Sequence, residues 1–517
     1  MDSNWYPSSW AVATLAEINT FTSSNVQPME CPDEVFELYS VPIFPTGAPE
    51  LVKGAEIGSS KQRVAPEDVL ICKINPRINR VWSVGNLGNL RQIASSEWIV
   101  FRQPLTRPAF LVRYFQSEQF RSRLCADVTG VGGSLTRAQP KKVSTFSVPV
   151  PPLAEQQAIA DKLDTLLAQV ETTKARLERI PDILKRFRQS VLAAAVSGRL
   201  TEKWRRQNPV DPVQVVSIKE SHRERMGNGG KKYVDPARFR EEDACYQLPD
   251  YWEWFRAEEL CDLITKGTTP KSSEMTARGS IPFVKVYNLT FTGQLDFTVD
   301  PTFISRAVHA TDLKRSKVYP GDVLMNIVGP PLGKVSIVPD DFPEWNINQA
   351  ICIFRAVCGV TAEYLSLCLR DAELLEQTKR KAKATAGQFN LTLEICRDFS
   401  VPVPPAEEQT EIVRRVDQLF AHAERIEQQV QAALERVNKL TQSILAAIPG
   451  SKASCLLDAQ IRKNLICNRL GYGHEAVTMN YALTFLGVEH LDEFAGQRVQ
   501  ILVRVLVDVD VQVTGQR

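Results

Sequence analysis

Two overlapping stretches come close to the spacing of a catalytic loop, and both fall short. A loop that clasps an extruded adenine for methyl transfer needs Asn or Asp before Pro-Pro and an aromatic after it. Gly329-Pro-Pro-Leu332 has neither. A phosphate-cradling loop needs GxxxxGK followed by Ser or Thr. Gly329-Pro-Pro-Leu-Gly-Lys334-Val335 is one residue short and lacks the hydroxyl, so it reads as a turn between strands. The five histidines, His309 and His422 among them, have no partner at ligand spacing and read as surface or capping residues. The eleven cysteines form no CxxC pair or zinc spacing. No catalytic residue and no metal ligand is assigned.

What remains is donor chemistry. Lys61, Arg63, Lys73, Arg77, Arg80 and Arg91 lie in the first third of the chain. Lys266, Thr268, Thr269, Lys271, Lys285, Asn288 and Lys334 lie in the second half. Arg and Lys suit guanine edges and phosphates, and Asn suits adenine. Taken singly, each is an ordinary solvated side chain; only as clusters in loops do they suggest a contact surface. Lys379-Arg380-Lys381 with Lys383 reads first as a phosphate contact or a helix end. The net charge is only +2, so an anionic partner must be met by local patches.

The elements that hold these clusters are a repeat. VPVPPLAEQQAIADKLD from Val148 and VPVPPAEEQTEIVRRVD from Val401 superpose at a constant offset of 253, with Glu155 on Glu408 and Gln156 on Gln409. The prolines force an extended approach, and a helix can begin just after them. Glu155 and Glu408 then sit in the first turn, where the helix dipole favours anions. Apolar residues follow in a 4-3 rhythm. In the first copy they are Ile159, Leu163, Leu166, Val170, Leu177, Ile180, Leu184, Phe187 and Val191, broken only by Thr173. In the second they are Ile412, Val416, Leu419, Ile426, Val430, Val437, Leu440 and Ile444, with Ala423 and Ala433 between. A 3.5-residue repeat keeps one helix seam facing another, so the two copies are expected to pair.

The expected fold class is α+β: two mixed α/β domains separated by an antiparallel two-helix coiled coil, with an approximate internal two-fold repeat. The expected domains are 1–147, the first spacer helix 148–200 with a kink or short break near Pro181 and an end near Gly198, a basic linker 201–244, a second domain 245–400, the second spacer helix 401–448, and a divergent tail 449–517. The two globules share landmarks. Ala65-Pro-Glu-Asp-Val-Leu70 parallels Tyr319-Pro-Gly-Asp-Val-Leu324, each a turn into a buried strand, and Trp98–Arg102 parallels Ile351–Arg355. The linker carries about ten Lys/Arg against five Asp/Glu between 201 and 240 and reads as a solvated tether. Ile159 to Val191 would span about 48 Å. Two heads inverted on such a rod match the symmetry of duplex DNA, whose half-sites lie about 34–36 Å apart.

The paired motifs resemble one family. PVPPLAEQQAIADKLD at 149–164, RIPDILKRFRQSVLAAAVSGRLTEKWR at 179–205 and PVPPAEEQ at 402–409 are similar to those of the specificity (S) subunits of type I restriction–modification systems. So are LPDYWEW at 248–254, KGTTPK at 266–271, IPFVKVYNL at 281–289, GDVLMNIVGPPLGKVSIV at 321–338, NINQA at 346–350 and GQFNLT at 387–392. The resemblance covers nearly all of 1–448, more weakly in the first globule. It implies two target-recognition domains, each reading half of a bipartite sequence in double-stranded DNA, and a coiled coil that sets the gap. It implies no active site and no cofactor on this chain. S-adenosylmethionine is expected on two partner methyltransferase (M) subunits, with restriction (R) endonuclease/translocase subunits in the full complex.

The start MDSNWYPSSW has no signal-peptide pattern, and no apolar run reaches the roughly 20 residues of a membrane span, so a cytoplasmic protein is expected. The alternative reading is a non-catalytic coiled-coil scaffold bridging two protein partners without touching DNA. A self-contained modification enzyme is disfavoured by the missing loops. After Ala447 the chain departs from the first copy, and Val499–Val513 alternates as a β-strand would.

Overall fold

The computed structural model describes residue 7 and residues 9–446, apart from 87, 104, 127, 130–135, 210, 214, 229–238, 240–242, 358, 382–383 and 386–387. The divergent tail 449–517 lies outside the described residues. Among those described, no helix is long and apolar enough to cross a membrane. The protein is α+β and divides into two units. One comprises residues up to Arg179 with the helix residues from Val430; the other is Ile180–Gln429.

In the first unit a five-stranded sheet has the order Asn25–Val26, Lys61–Arg63, Arg91–Ala94, Val35–Tyr39, Glu50–Lys53. Val35–Tyr39 runs parallel to Arg91–Ala94, and the other pairs are antiparallel. Beside it, Val81–Ser83, Val69–Cys72 and Trp98–Phe101 form an antiparallel three-stranded sheet. Helices Pro108–Gln116 and Glu118–Ala126 bury Phe110, Tyr114, Phe115 and Phe120 against it.

The second unit also holds two main sheets. Cys261–Lys266, Ile351–Ala356, Val323–Asn326, Val335–Ile337 and Gly293–Gln294 form one sheet. Phe303–Ile304, Ile281–Val284, Trp345–Ile347 and Lys317–Val318 form another.

The shared landmarks turn out to touch. Arg102 donates through Nε and Nη2 to the two carboxylate oxygens of Asp68, at 2.8 and 2.7 Å. Arg355 does the same to Asp322, at 2.8 Å twice. Each aspartate also accepts from the backbone N–H three residues back, Ala65 or Tyr319, at 2.8 Å. The bidentate geometry fixes both the guanidinium plane and the turn that feeds the strand. That turn needs a left-handed residue after its proline. Gly321 supplies it at φ 87°, whereas Glu67 adopts φ 72° at a steric cost.

Each globule is closed by an edge pair that launches its long helix. Ala11–Thr14 pairs antiparallel with Ser147–Val150, and Glu253–Arg256 with Ser400–Val403. Proline is tolerated here because both sheets have only two strands and no further partner is needed. The first long helix, Leu153–Val196, then runs as one element with Pro181 inside it. Proline removes one intrahelical donor, but the seam residues on either side, Ile180 and Leu184, are buried. The second long helix is Ala406–Ala446.

The two helices meet within each unit. In the first, Leu163 and Val170 share one core with Ile444, flanked by Ile159, Leu166, Val437 and Leu440. In the second, Val191 shares the core of Ile412 and Val416, flanked by Phe187 and Leu419, and Arg188 pairs with Glu427 at 2.8 Å. Early turns of one helix meet late turns of the other, so the pairing is antiparallel in each unit. Leu177 and Ile426 are half-buried, Val430 is buried, and Thr173 is exposed and bonded to its own helix at Gln169 O.

The expectation of a plain linker over 201–244 needs correction. Helices Glu202–Gln207 and Val215–Asn228 form there. Ile218 enters the core of the second unit and Arg225 donates to Glu259 O at 3.0 Å. A few apolar residues in a charged stretch were enough to dock it.

Two outcomes follow for unfolding experiments. Asp68→Asn should destabilise the first unit by about 2 kcal/mol, less than the 3–5 of a fully buried pair because Arg102 is solvent-accessible. Glu67→Gly should raise its stability by about 0.5–1 kcal/mol by relieving the left-handed strain. Urea titration of the full chain, followed by proteolysis of each unit, reads both.

Candidate nucleic-acid interface

The base of each long helix is where the sequence repeat becomes geometry. Gln156 accepts from Arg107 N at 2.7 Å and donates to Pro151 O at 2.7 Å. Gln409 accepts from Thr361 N at 2.9 Å and donates to Gly359 O and Pro404 O at 2.7 and 3.0 Å. Each amide is buried and ties helix, proline approach and globule together. Beside it, Glu155 accepts from the Trp10 indole at 3.0 Å and Glu408 from the Trp252 indole at 2.9 Å. Glu408 also receives Thr201 Oγ1 at 2.6 Å and the Arg205 guanidinium, both from the segment that follows the first long helix. These carboxylates are therefore clasps between elements as well as first-turn anions. The invariant Glu-Gln pair at offset 253 carried that signal, but their tryptophan partners do not share the offset.

With the helices locked, the donor residues can be placed. In the first unit Lys73, Arg77 and Arg80 share one loop, from the end of Val69–Cys72 to the start of Val81–Ser83. Arg80 Nη1 donates to Ile74 O at 3.4 Å, inside the loop. The fold adds two arginines that sequence spacing did not show. Arg121 donates to Arg77 O at 3.3 Å, and Arg137 pairs with Glu97 at 3.0 Å while its backbone bridges to Ile74.

Lys61 and Arg63 lie apart from that loop, on a strand of the five-stranded sheet. Lys61 Nζ donates to Ser59 O at 3.0 Å, and burial holds its ammonium below the ordinary lysine range. Arg91 is committed to Glu34 at 2.9 Å and lies over the Phe36 ring.

In the second unit Lys266 ends the strand Cys261–Lys266, and Thr268, Thr269 and Lys271 follow on an exposed loop. Gly267 sets it down on the 347–351 turn so closely that a Cβ would lie 2.2 Å from the carbonyl oxygens of Ile347 and Asn348. Thr269 Oγ1 accepts from Gln349 N at 3.4 Å, which joins the KGTTPK and NINQA motifs in one surface.

Lys334 closes the Gly329–Lys334 turn, between strands as expected, and its backbone is pinned by Asn326 at 2.8 Å. Lys285 faces Asp300 at 3.7 Å and the Tyr287 ring.

Asn288 is fully buried. Its amide donates to Asp296 O and Val299 O at 3.0 and 2.8 Å and accepts from Lys285 N at 2.9 Å. It organises the loop and has no edge free for a base. Lys379 pairs with Glu376 at 2.7 Å on a helix, and Lys383 lies outside the described residues.

His309 is not a surface residue as its isolation suggested. It is buried beside the Asn346 amide at 3.1 Å, and burial pushes its imidazole pKa down. His422 lies on the second long helix against Gln418 O. Among the described residues no group of three His, Cys, Asp or Glu could hold a metal.

The sequence matches the family description "Type I restriction modification DNA specificity domain" twice, over residues 10–182 and 249–436. It is 38% identical over 317 residues to the type I restriction enzyme EcoBI specificity subunit of Escherichia coli, covering 58% of this chain and 56% of that one. It is 30% identical over 397 residues to the EcoKI specificity subunit of E. coli strain K12, covering 74% of each. The chain thus spans little more than half the length of the first of these relatives. Its fold resembles the HsdS subunit from Thermoanaerobacter tengcongensis, with a TM-score of 0.55 at 20% identity over 87% of this chain and 99% of that one. A chain from a type I R-M system complex gives a TM-score of 0.63, also at 20% identity, covering 86% and 99%.

Buried and exposed candidates should separate on mutation. Asn288→Ala, which strands three backbone groups, is expected to cost about 2–3 kcal/mol, while Lys266→Ala and Lys271→Ala stay within about 0.5 kcal/mol. Chemical denaturation of the three variants against the parent chain checks this.

Proposed function

Because the chain belongs to the type I restriction–modification DNA specificity family, we propose that it is the DNA-recognition subunit of such a complex. Each globule reads one half of a bipartite duplex sequence, and the paired long helices set the gap between the halves. The chain itself is non-catalytic and binds no cofactor. Two methyltransferase subunits carry S-adenosylmethionine, restriction subunits complete the assembly, and the complex works in the cytoplasm.

The observation that carries the reading is the duplicated lock of Gln156 and Gln409, with Glu155 and Glu408, at the helix bases. A recognition head is useful for measuring distance only if it cannot swivel on its strut. Tying the globule's backbone to the helix's first turn removes that freedom. Arg77 at the tip of the 73–80 loop and the exposed donors of 266–271 then become surfaces held in fixed orientation, suited to phosphate oxygens and base edges.

The test is duplex binding by the complex of this chain with its methyltransferase subunits. Protection of one discontinuous sequence is expected, with affinity falling steeply between 50 and 200 mM salt as counterions are released. Inserting one heptad in phase into both long helices adds about 10 Å, which should lengthen the unread gap by roughly three base pairs. Binding that ignores both salt and sequence would favour a scaffold that bridges proteins instead. An unchanged gap would remove the ruler while leaving recognition intact.

A further inference from the structure

One loop in the first unit is built more rigidly than its exposure requires. Between Cys72 and Val81 the chain makes a single 3-10 turn, Pro76–Ile78, bounded by Asn75 at φ 48° and Asn79 at φ 52°. Left-handed residues other than glycine carry steric cost and concentrate where the surrounding structure holds a functional conformation. Here the surroundings hold it from every side. Asn75 N donates to Thr136 O and Ala138 N to Lys73 O, both at 2.9 Å, and Ile74 bridges Arg137. Pro76 is buried beneath the turn. What this scaffold presents to solvent is Arg77 and Ile78, the latter 57% exposed.

A branched aliphatic side chain at such a tip has no role toward phosphate, yet its loop also carries Lys73, Arg77 and Arg80, Arg121 bonds to Arg77 O and Arg137 bridges Ile74. The cations suit a polyanion, and the apolar group suits something within it. In the major groove the only exposed apolar group on a base is the C5-methyl of thymine. The corresponding loop of the second unit follows the same staple and strand and also carries an exposed aliphatic residue, Val328, before its Pro-Pro turn and Lys334.

We infer that Ile78 is a specificity-determining residue of the first globule, contacting the methyl group of a thymine in its half of the target. The inference rests on the DNA-recognition reading and adds to it the residue and the base feature it reads.

The experiment is selection from a library of randomised duplexes by the methyltransferase complex carrying either the native chain or Ile78→Ala. The native complex should enrich a bipartite sequence. Ile78→Ala should lose preference for thymine at one position of one half-site, by about fourfold, the value of one buried methyl-sized group. The other half-site should be unchanged. Replacing that thymine by deoxyuridine should weaken native binding by about fourfold and leave the variant unaffected.

The same sequence profile from both proteins, with no deoxyuridine effect, overturns the inference and leaves recognition standing. So does a loss that is uniform over all sequences, or one that appears only as weaker assembly with the methyltransferase subunits. If neither protein enriches any sequence, the recognition reading falls and takes this one with it. Because Ile78 is exposed, the variant should melt with the native chain, and a melting comparison confirms that the binding data concern a folded protein.

Discussion

A buried carboxylate at the foot of a helix is the constraint on which the second unit depends. Glu408 is wholly enclosed and is satisfied by an indole N–H from one part of the chain and a hydroxyl and a guanidinium from another. Removing one partner of such a buried pair costs about 3–5 kcal/mol, because the remaining charge has nowhere to go. The strand that opens the globule, the helix that leaves it and the segment that follows the other long helix are therefore obliged to arrive together. Arg415, donating to Leu200 O at 3.0 Å, and the stack of Arg205 over Trp252 tighten the same junction. In the first unit Glu155 holds Trp10, a clasp that among the described residues joins two elements where its counterpart joins three.

The lock and the seam solve different problems. The seam is non-directional: Leu163, Val170 and Ile444 would tolerate sliding by a heptad with little change in buried area. The amide and carboxylate bonds are directional and admit one register. Pro181 illustrates the division. It deletes a backbone bond in the first helix, yet the helix runs on, because the apolar residues beside it are buried. Stiffness comes from burial, and position comes from hydrogen bonds.

Much of this plan was legible in the residues, and the reasons for the gaps are physical. The 4-3 rhythm and the 253 offset announced paired helices because periodicity is a property of sequence alone. The Asp68–Arg102 and Asp322–Arg355 staples were visible only as landmarks, since nothing in a sequence says which charge meets which. That Trp10 and Trp252 would meet Glu155 and Glu408 was not legible, because the two tryptophans lie outside the constant offset. The segment 201–244 misled for the opposite reason. Its charge dominates its composition, while a few residues such as Ile218 and Val213 seat it against the core. Among the donor candidates, residue type could not tell Asn288, spent on backbone groups inside a loop, from Thr268 on an open one.

The staple also explains how a constant frame can carry variable heads. In both units the aspartate–arginine pair fixes the start of one strand and the end of its neighbour, Val69–Cys72 beside Trp98–Phe101 and Val323–Asn326 beside Ile351–Ala356. The loop that leaves the first of these strands is free of that duty. In one unit it is a proline turn between two left-handed asparagines; in the other it is a Gly-Pro-Pro turn held by Asn326. The two loops, 73–80 and 327–334, are equal in length but differ in sequence, and they spring from equivalent strands on equivalent supports. A frame pinned behind its loops lets those loops change without unfolding the globule, whereas a change at Asp68, Asp322, Gln156 or Gln409 strikes the frame itself.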